Sequence, residues 1–335
     1  MAGRKLTRQQ RWRIEKIQAE RNRRAAKKEA AIEEDAMGPE HRGRVIAHFG
    51  RTLEVEGLGE PTVAGQRFRC HQRANLESLV TGDIVSWREL KDGLGVVVGR
   101  FDRHSTLERP DARGILKPVA ANIDRIMIVV AVEPVPFANL IDRYLVAAEA
   151  TGITPSLVIN KTDLLADPAL DILKERYQRL GYEVLPASVR QSHGLDMLRD
   201  ALKDRTTVFV GQSGVGKSSL INTLLPTEDI RVGALSEDSR KGTHTTTTAR
   251  LYHFPAGGDL IDSPGIREFG LGHLSEQQVT EGFIEFHPFV GQCRFRDCTH
   301  REEPGCALRE AVAQGQIDLA RFESYQRIIR SLSMP

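Results

Sequence analysis

No apolar run in the sequence approaches the roughly 20 residues that a bilayer-spanning helix needs, so a helical membrane protein is not expected. The first residues carry charge where a secretory signal would have its apolar core, which makes the cytoplasm the expected compartment and a membrane an unexpected partner. Cysteine is scarce. There are four, Cys70, Cys293, Cys298 and Cys306, and three of them fall within fourteen residues near the C-terminus. In a cytosolic chain that clustering argues for a metal and against a disulfide framework. A large net charge is missing as well: the formal value is +2. With 40% apolar and 27% charged residues, the 335-residue chain has the balance of an ordinary globular protein of two or three domains, not of a disordered one.

The near-neutral total hides an uneven distribution. From Arg4 through Lys28 there are eleven Lys or Arg against Glu15 and Glu20, and Glu29, Glu33, Glu34 and Asp35 then offset part of the excess. Residues 1–35 are rich in good helix formers, with no Gly or Pro after Gly3. This is either a nucleic-acid-binding arm, helical on its partner, or a solvated tail. After Gly38 and Pro39 the texture changes to short β-type runs at 44–49, 52–56, 66–70, 84–89 and 95–101, punctuated by glycine. Five short strands in about 60 residues suggest a small Greek-key barrel, and the stretch from Val80 to Trp87 resembles a turn and strand common in OB-folds. Arg67, Arg69, His71 and Arg73 alternate along one strand direction, which favours a polyanion-facing surface over a purely scaffolding domain.

From Ile123 to about Gly265 apolar runs at 126–132, 156–159, 184–186 and 208–210 alternate with helical stretches at 140–150, 169–180 and 195–202. That alternation is α/β architecture with a parallel sheet. Directly after the run at 206–210 comes Gly211, Gln212, Ser213, Gly214, Val215, Gly216, Lys217, Ser218 and then Ser219, which opens a helix. The context of strand, glycine-rich loop and helix is that of a P-loop. Its backbone N–H groups turn inward on phosphates, Lys217 reaches the β and γ oxygens, and the Ser218 hydroxyl is placed to ligate Mg²⁺. The loop alone does not separate GTP from ATP.

The run Asn160, Lys161, Thr162, Asp163 makes that separation. It sits at the end of an apolar strand, where base-reading residues of an α/β nucleotide domain lie. The Asp163 carboxylate only accepts, so it can take both N1–H and the exocyclic amine of guanine, a donor pair adenine lacks. Asn160 can bridge the base edge to the P-loop, and the Lys161 stem can cover the ring. Ala187 and Ser188, one strand later, are candidates for the loop whose backbone N–H meets guanine O6. Asp262 and Gly265, in Asp-Ser-Pro-Gly, offer a carboxylate for the outer Mg²⁺ shell and a backbone contact to the γ-phosphate. Between them and the P-loop, the loop from Lys241 to Thr248 supplies hydroxyls for the Mg²⁺, with Thr246 preferred and Thr245 second. In ordinary small GTPases the P-loop comes first, whereas here residue 160 precedes residue 211. This is the motif order of a circularly permuted GTPase.

Cys293, Cys298, His300 and Cys306 supply three thiols and an imidazole, the ligand set of a closed, structural zinc site. Such an ion would staple a module between Gly282 and about Val312 that is too short to hold a core unaided.

Together these features resemble the RsgA (YjeQ) family of bacterial ribosome small-subunit-dependent GTPases, over nearly the whole chain. The resemblance implies a multidomain α/β protein. A basic arm spans 1–38, an OB-fold β-barrel 39–110, a permuted P-loop GTPase domain with helices on both faces of a parallel sheet 111–277, and a zinc-binding module with helices 278–335. It implies one structural Zn²⁺, Mg²⁺ with GTP, hydrolysis to GDP and phosphate, and the 30S subunit and its 16S rRNA as partners in late maturation. A monomer is expected. Ile266 stands where Ras-like proteins carry a water-orienting Gln, and an alkyl chain cannot orient water. Slow intrinsic hydrolysis follows, and His244 is either the group that swings in to replace that Gln or an exposed loop histidine. Other classes stand beside this one: a metabolic P-loop ATPase or kinase, a P-loop NTPase switch on another RNA or ribosomal target, or an RNA-binding protein with structural GTP. Competition of ATP against GTP, and turnover with and without subunits, discriminate them.

Overall fold

The computed structural model describes residues 37–332 other than 51, 75, 91–92, 112, 135, 165–167, 227–248 and 263–273. The chain divides into two compact units, one ending at Asp102 and lacking Val80–Gly82, the other made of Val80–Gly82 and Arg103–Pro335.

In the first unit, β1 (Met37–Phe49), β2 (Thr52–Leu58), β3 (Arg67–Gln72), β4 (Ile84–Leu90) and β5 (Gly95–Arg100) occupy the five runs read from the sequence. β1 begins seven residues earlier than the sequence pattern suggests and takes in Gly38 and Pro39. The pairing runs β1-β2-β3-β5-β4 and closes through β4 on β1, with β3 and β5 parallel. That closed Greek key is the OB-fold. Val45, Leu53, Val55, Cys70, Val85, Trp87 and Val97 fill its interior. On β3, Arg67, Arg69 and His71 point out while Cys70 is buried and Phe68 half-buried, so the alternation places these side chains on one face.

The second unit opens with a hairpin of β6 (Thr106–Pro110) and β7 (Leu116–Ala121), which no clear period in the sequence announced. Its main sheet holds β8 (Arg125–Ala131), β9 (Thr154–Asn160), β10 (Glu183–Pro186), β11 (Thr206–Val210), β12 (Arg250–His253) and β13 (Asp259–Asp262). The order β10-β9-β8-β11-β13 is parallel throughout, and β12 joins β13 antiparallel. β8 and β9 are buried along almost their whole length, as expected for strands covered on both faces. Successive strands step outward from β8 to β10, and the chain then returns to place β11 on the other side of β8. Loops therefore diverge at the carboxyl ends of β8 and β11, which is where ligands bind in such sheets.

The helices α1 (Ala138–Thr151), α2 (Pro168–Arg179), α3 (Asp196–Leu202) and α4 (Lys217–Leu224) connect these strands. α1 stops at Gly152, which takes φ 69° and donates its N–H to the Glu149 carbonyl. C-terminal to the sheet lie α5 (Glu276–Glu281), α6 (Ala307–Ala313) and α7 (Leu319–Leu332). α5 starts at a capping box in which the Ser275 hydroxyl accepts from Gln278 N–H and the Gln278 side chain accepts from Ser275 N–H. Val146 and Ala147 of α1 share one core with Phe283, Phe286, Leu308, Phe322, Tyr325 and Ile328. The short C-terminal module thus gains its core by packing on a helix of the nucleotide-type domain. None of the described helices is long and apolar enough to cross a membrane.

Candidate functional site

Strand register brings the sequence motifs to one level. Ala131 of β8 pairs with Asn160 of β9, Ile128 of β8 with Val210 of β11, and Ile159 of β9 with Pro186 of β10. The Asn160–Asp163 run, Ala187 and Ser188, the glycine-rich loop from Gly211 and the Asp262 end of β13 therefore all leave the carboxyl edge of one sheet.

The glycine-rich loop needs its glycines. Gly211, at φ 141°, lies where a Cβ would collide with the Val129 carbonyl, and Gly216, at φ 88°, lies where one would collide with the Asn160 amide. Lys217 opens α4 and folds back over the loop, donating from Nζ to the carbonyls of Gly211 and Gln212, both at 2.6 Å. Phosphate oxygens entering this loop would meet that ammonium at the N-terminus of α4.

Asn160 and Lys161 tie the loop to the base-reading strand. Asn160, 2% exposed, donates from Nδ2 to the Val215 carbonyl at 2.9 Å, while its buried Oδ1 has no partner among the described residues. A buried amide oxygen of this kind is satisfied by a ligand or an ordered water. Lys161 donates from Nζ to the Gly214 carbonyl at 2.9 Å and to that of Glu133 at 2.6 Å. Asp163 Oδ1 accepts from the Ser188 hydroxyl at 2.6 Å. That hydrogen bond, helped by the charges of Arg190 and Lys161, holds the Asp163 carboxyl below the usual carboxylate range. At neutral pH it is an anion that can only accept.

These groups surround a cleft of ≈ 320 Å³ lined by Asn160, Lys161, Asp163, Gly216 and Ser219, together with Glu133, Leu164, Val189 and Arg190. The last four are absent from the sequence reading. Their signal was positional: Glu133 follows β8 at the point where the sheet reverses direction, and Val189 and Arg190 follow Ser188. The N–H groups of Ala187 and Ser188, candidates for the O6 contact, are both engaged within the protein. The Ala187 N–H is given to the Ile159 carbonyl at 2.8 Å and the Ser188 N–H to the Gly194 carbonyl at 2.9 Å. Both residues are fully buried, and Ser188 acts through its hydroxyl on Asp163. Thr245, Thr246, His244, Gly265 and Ile266 lie outside the described residues, as does the basic arm up to residue 36.

At the C-terminal end, the Sγ atoms of Cys293, Cys298 and Cys306 and one ring nitrogen of His300 all lie within 4.8 Å of one another. The Cys293 and Cys306 sulfurs are each 3.5 Å from His300 Nδ1. A tetrahedral ion with metal–sulfur bonds of ~2.3 Å and metal–nitrogen bonds of ~2.1 Å holds S and N about 3.6 Å apart, so the cluster can hold a metal ion with all four positions filled by protein. Between His300 and Cys306 the chain is ordered by Glu303. Its carboxylate accepts from the N–H groups of Thr299, Arg301 and Glu302 at 2.8, 2.9 and 3.1 Å, and from the Thr299 hydroxyl. Those donors, the Thr299 hydroxyl foremost, hold its pKa down at about 2.

A phosphate loop on β11, a guanine-type acidic residue on a strand that precedes it in sequence, and parallel pairing of both around β8 define a circularly permuted GTPase. Comparison with known proteins gives the family. The RsgA GTPase family model matches residues 100–272. The chain is 66% identical over 339 aligned residues, 99% of each protein, to the small ribosomal subunit biogenesis GTPase RsgA of Chromohalobacter salexigens. It is 57% identical to that of Hahella chejuensis, over 99% of this chain and 97% of the relative. Among solved structures it is similar to YjeQ from Thermotoga maritima, with TM-score 0.71 and 31% identity over 88% of this chain and 99% of that one. It also resembles YloQ, a circularly permuted GTPase, with TM-score 0.70 and 28% identity over 89% of this chain and 97% of that one. The chain belongs to the RsgA GTPase family and is accordingly a hydrolase acting on GTP.

Proposed function

We propose that this GTPase binds the small ribosomal subunit in the cytoplasm, contacting 16S rRNA during its late maturation, and couples its stay there to hydrolysis of GTP. The relatives above carry small-subunit biogenesis in their names. The observation that carries the nucleotide half of the reading is the clamp by which Asn160 and Lys161 join the Asp163 cleft to the phosphate loop. In this reading a monomer suffices, with an RNA-binding arm at 1–38, an OB-fold domain at 39–110, a GTPase domain at 111–277 and a metal module at 278–335.

Guanine enters the ≈ 320 Å³ cleft with its N1–H and amine on Asp163, its faces against the Lys161 stem and Arg190, and O6 on the Val189 N–H beyond the committed N–H groups of Ala187 and Ser188. The phosphates lie on the backbone from Gly211 to Ser219, including Gln212, Ser213, Gly214, Val215 and Gly216, with Lys217 on the β and γ oxygens. Mg²⁺ bound by Ser218 and Thr246, with Asp262 in its outer shell and Gly265 nearby, would supply charge neutralisation at those oxygens. Water attacks the γ-phosphorus, the bond to the β–γ bridging oxygen breaks, and GDP leaves. With Ile266 unable to orient water, His244 takes that task on the subunit. Single-turnover hydrolysis should therefore rise on adding small subunits and not large ones. His244→Ala should keep GTP affinity and the basal rate but lose about 100-fold of the stimulated rate, the size of a positioned proton acceptor. Equal stimulation by both subunits would sink the partner, and full stimulation of the variant would remove His244 from the mechanism.

Zinc is the ion proposed for Cys293, Cys298, His300 and Cys306, on the softness of three thiolates. Burial raises the Cys298 and Cys306 thiols above their usual range, so an ion that took them as thiolates would release their protons and bind less well as pH falls. Metal analysis of protein purified without chelator should find one zinc per chain. Cys298→Ala should lose it and weaken subunit binding more than GTP binding, since no residue of the metal loop lines the base cleft. Stoichiometric iron, or no metal, would refute the assignment.

A further inference from the structure

The metal loop carries more than its ligands. Between Cys293 and Cys298 lie Arg294, Phe295, Arg296 and Asp297, all exposed, Phe295 to 42%. The Arg294 guanidinium sits over that ring, 5.6 Å from its centroid. The knuckle is held at several points: Arg294 N–H donates to the Gly305 carbonyl at 3.0 Å, Cys298 N–H to that of Phe295 at 3.3 Å, and Ala307 N–H to Cys293 Sγ at 3.4 Å. Gly305, at φ 72°, lies where a Cβ would press on Arg294 Cβ at 3.0 Å. An apolar ring is thus kept at the surface by a fixed backbone.

Charge around the ring is one-sided in its availability. Arg301 is paired with Glu276 at 3.5 Å, and the Glu303 carboxylate is spent on its own loop. Among the described residues neither Arg294 nor Arg296 has a carboxylate partner, and Asp297 is the acidic residue of the knuckle. A protein ligand would call for a wider apolar surface. A solvent-facing aromatic between two arginines that have no carboxylate partner among the described residues suits a single unpaired nucleotide, whose base stacks on the ring while the arginines meet the flanking phosphates.

We propose that Phe295, with Arg294 and Arg296, forms a stacking site for one unpaired RNA base. This rests on the reading above that the protein works on an RNA-containing subunit, and it names the chemistry one surface reads there. The probe is a single-stranded RNA of about 12 nucleotides carrying 2-aminopurine, whose fluorescence is quenched on stacking, against the same sequence as a duplex. The full metal-loaded protein should quench the single strand and not the duplex. Phe295→Ala, with parent metal content and parent basal GTP hydrolysis, should lose the quench and bind about tenfold more weakly, as stacked aromatics do on truncation. Phe295→Tyr should restore both. Arg294→Ala with Arg296→Ala should lower the salt slope by ~0.7 per lost phosphate contact. Unchanged quench and affinity in Phe295→Ala would overturn the site. So would a Phe295→Ala protein that loses small subunits in co-sedimentation while still quenching the single strand, an outcome that marks a protein contact. Failure of the parent itself to co-sediment with small subunits would instead refute the reading beneath it, whereas a parent that co-sediments with a variant that does so equally well sinks the stacking site alone.

Discussion

Asp163→Asn should weaken GTP by two to four orders of magnitude and improve xanthosine triphosphate. A site built to pair a substrate's N–H groups loses about 10⁴ when that pairing fails, and part of the hydrogen bonding survives here. The wild-type side chain is fixed as an acceptor because the Ser188 hydroxyl already donates to Oδ1 at 2.6 Å and stabilises the anion. Its depressed pKa sets a second expectation with the same sign. The anion is the binding form, so the contribution of Asp163 to GTP affinity should hold as pH falls through neutrality and be lost only at a lower pH than an ordinary aspartate would give. In the variant an amide N–H can face the xanthine 2-carbonyl, whereas against guanine it sets donor against donor. Competition binding with GTP, xanthosine triphosphate and ATP reads all three terms. A variant with the parent's base preference would mean that the cleft of Asn160, Lys161 and Asp163 is not the base site.

Why this much was legible follows from the kind of signal each residue leaves. Phosphate loops need glycine at fixed positions because a Cβ at Gly211 or Gly216 meets backbone or the Asn160 amide, so the run 211–218 reads directly. Base recognition needs an acceptor-only carboxylate at a strand end, and β9 is long and apolar enough to be seen. Four candidate metal ligands in fourteen residues leave a spacing pattern of their own. Val189 and Arg190 left none, since a valine and an arginine in a loop satisfy no rule of spacing, and only the strand register places them at the cleft. That the Ala187 and Ser188 N–H groups are engaged within the protein was hidden for a related reason. Nothing in the sequence tells which N–H of consecutive loop residues is consumed by Ile159 and Gly194, a matter of tertiary hydrogen bonding. The hairpins β6–β7 and β12–β13 escaped because strands of four to six residues carry too few alternations to define a period.

The least legible feature carries the second large effect. Arg321 of α7 is 1% exposed and makes a bidentate pair with Glu285, Nε to Oε1 at 2.6 Å and Nη2 to Oε2 at 3.0 Å, while Nη1 donates to Asp142 of α1. The Tyr177 hydroxyl donates to the same Asp142 oxygen at 2.6 Å, and the guanidinium lies 4.4 Å from the Phe283 ring centroid. Arg321→Ala should therefore destabilise the packing of α1 on the C-terminal helices by about 3–5 kcal/mol, because it strands two carboxylates in an apolar setting. Replacing Arg321, Asp142 and Glu285 together by apolar residues of similar volume should cost far less or stabilise, since the desolvation of all three charges disappears with them. Hydrogen exchange of α1 and α7 amides reads the difference locally, where the tryptophans cannot: Trp87 lies in the barrel and Trp12 in the arm. α1 begins at Ala138, five residues after Glu133, whose carbonyl takes the Lys161 ammonium beside the phosphate loop. A short segment thus links α1 to Glu133 of the cleft, and the same helix packs on the C-terminal module along its flank, which gives nucleotide state a short path to that module. Loss of protection below about 1 kcal/mol in Arg321→Ala would show that the two are joined by apolar packing alone.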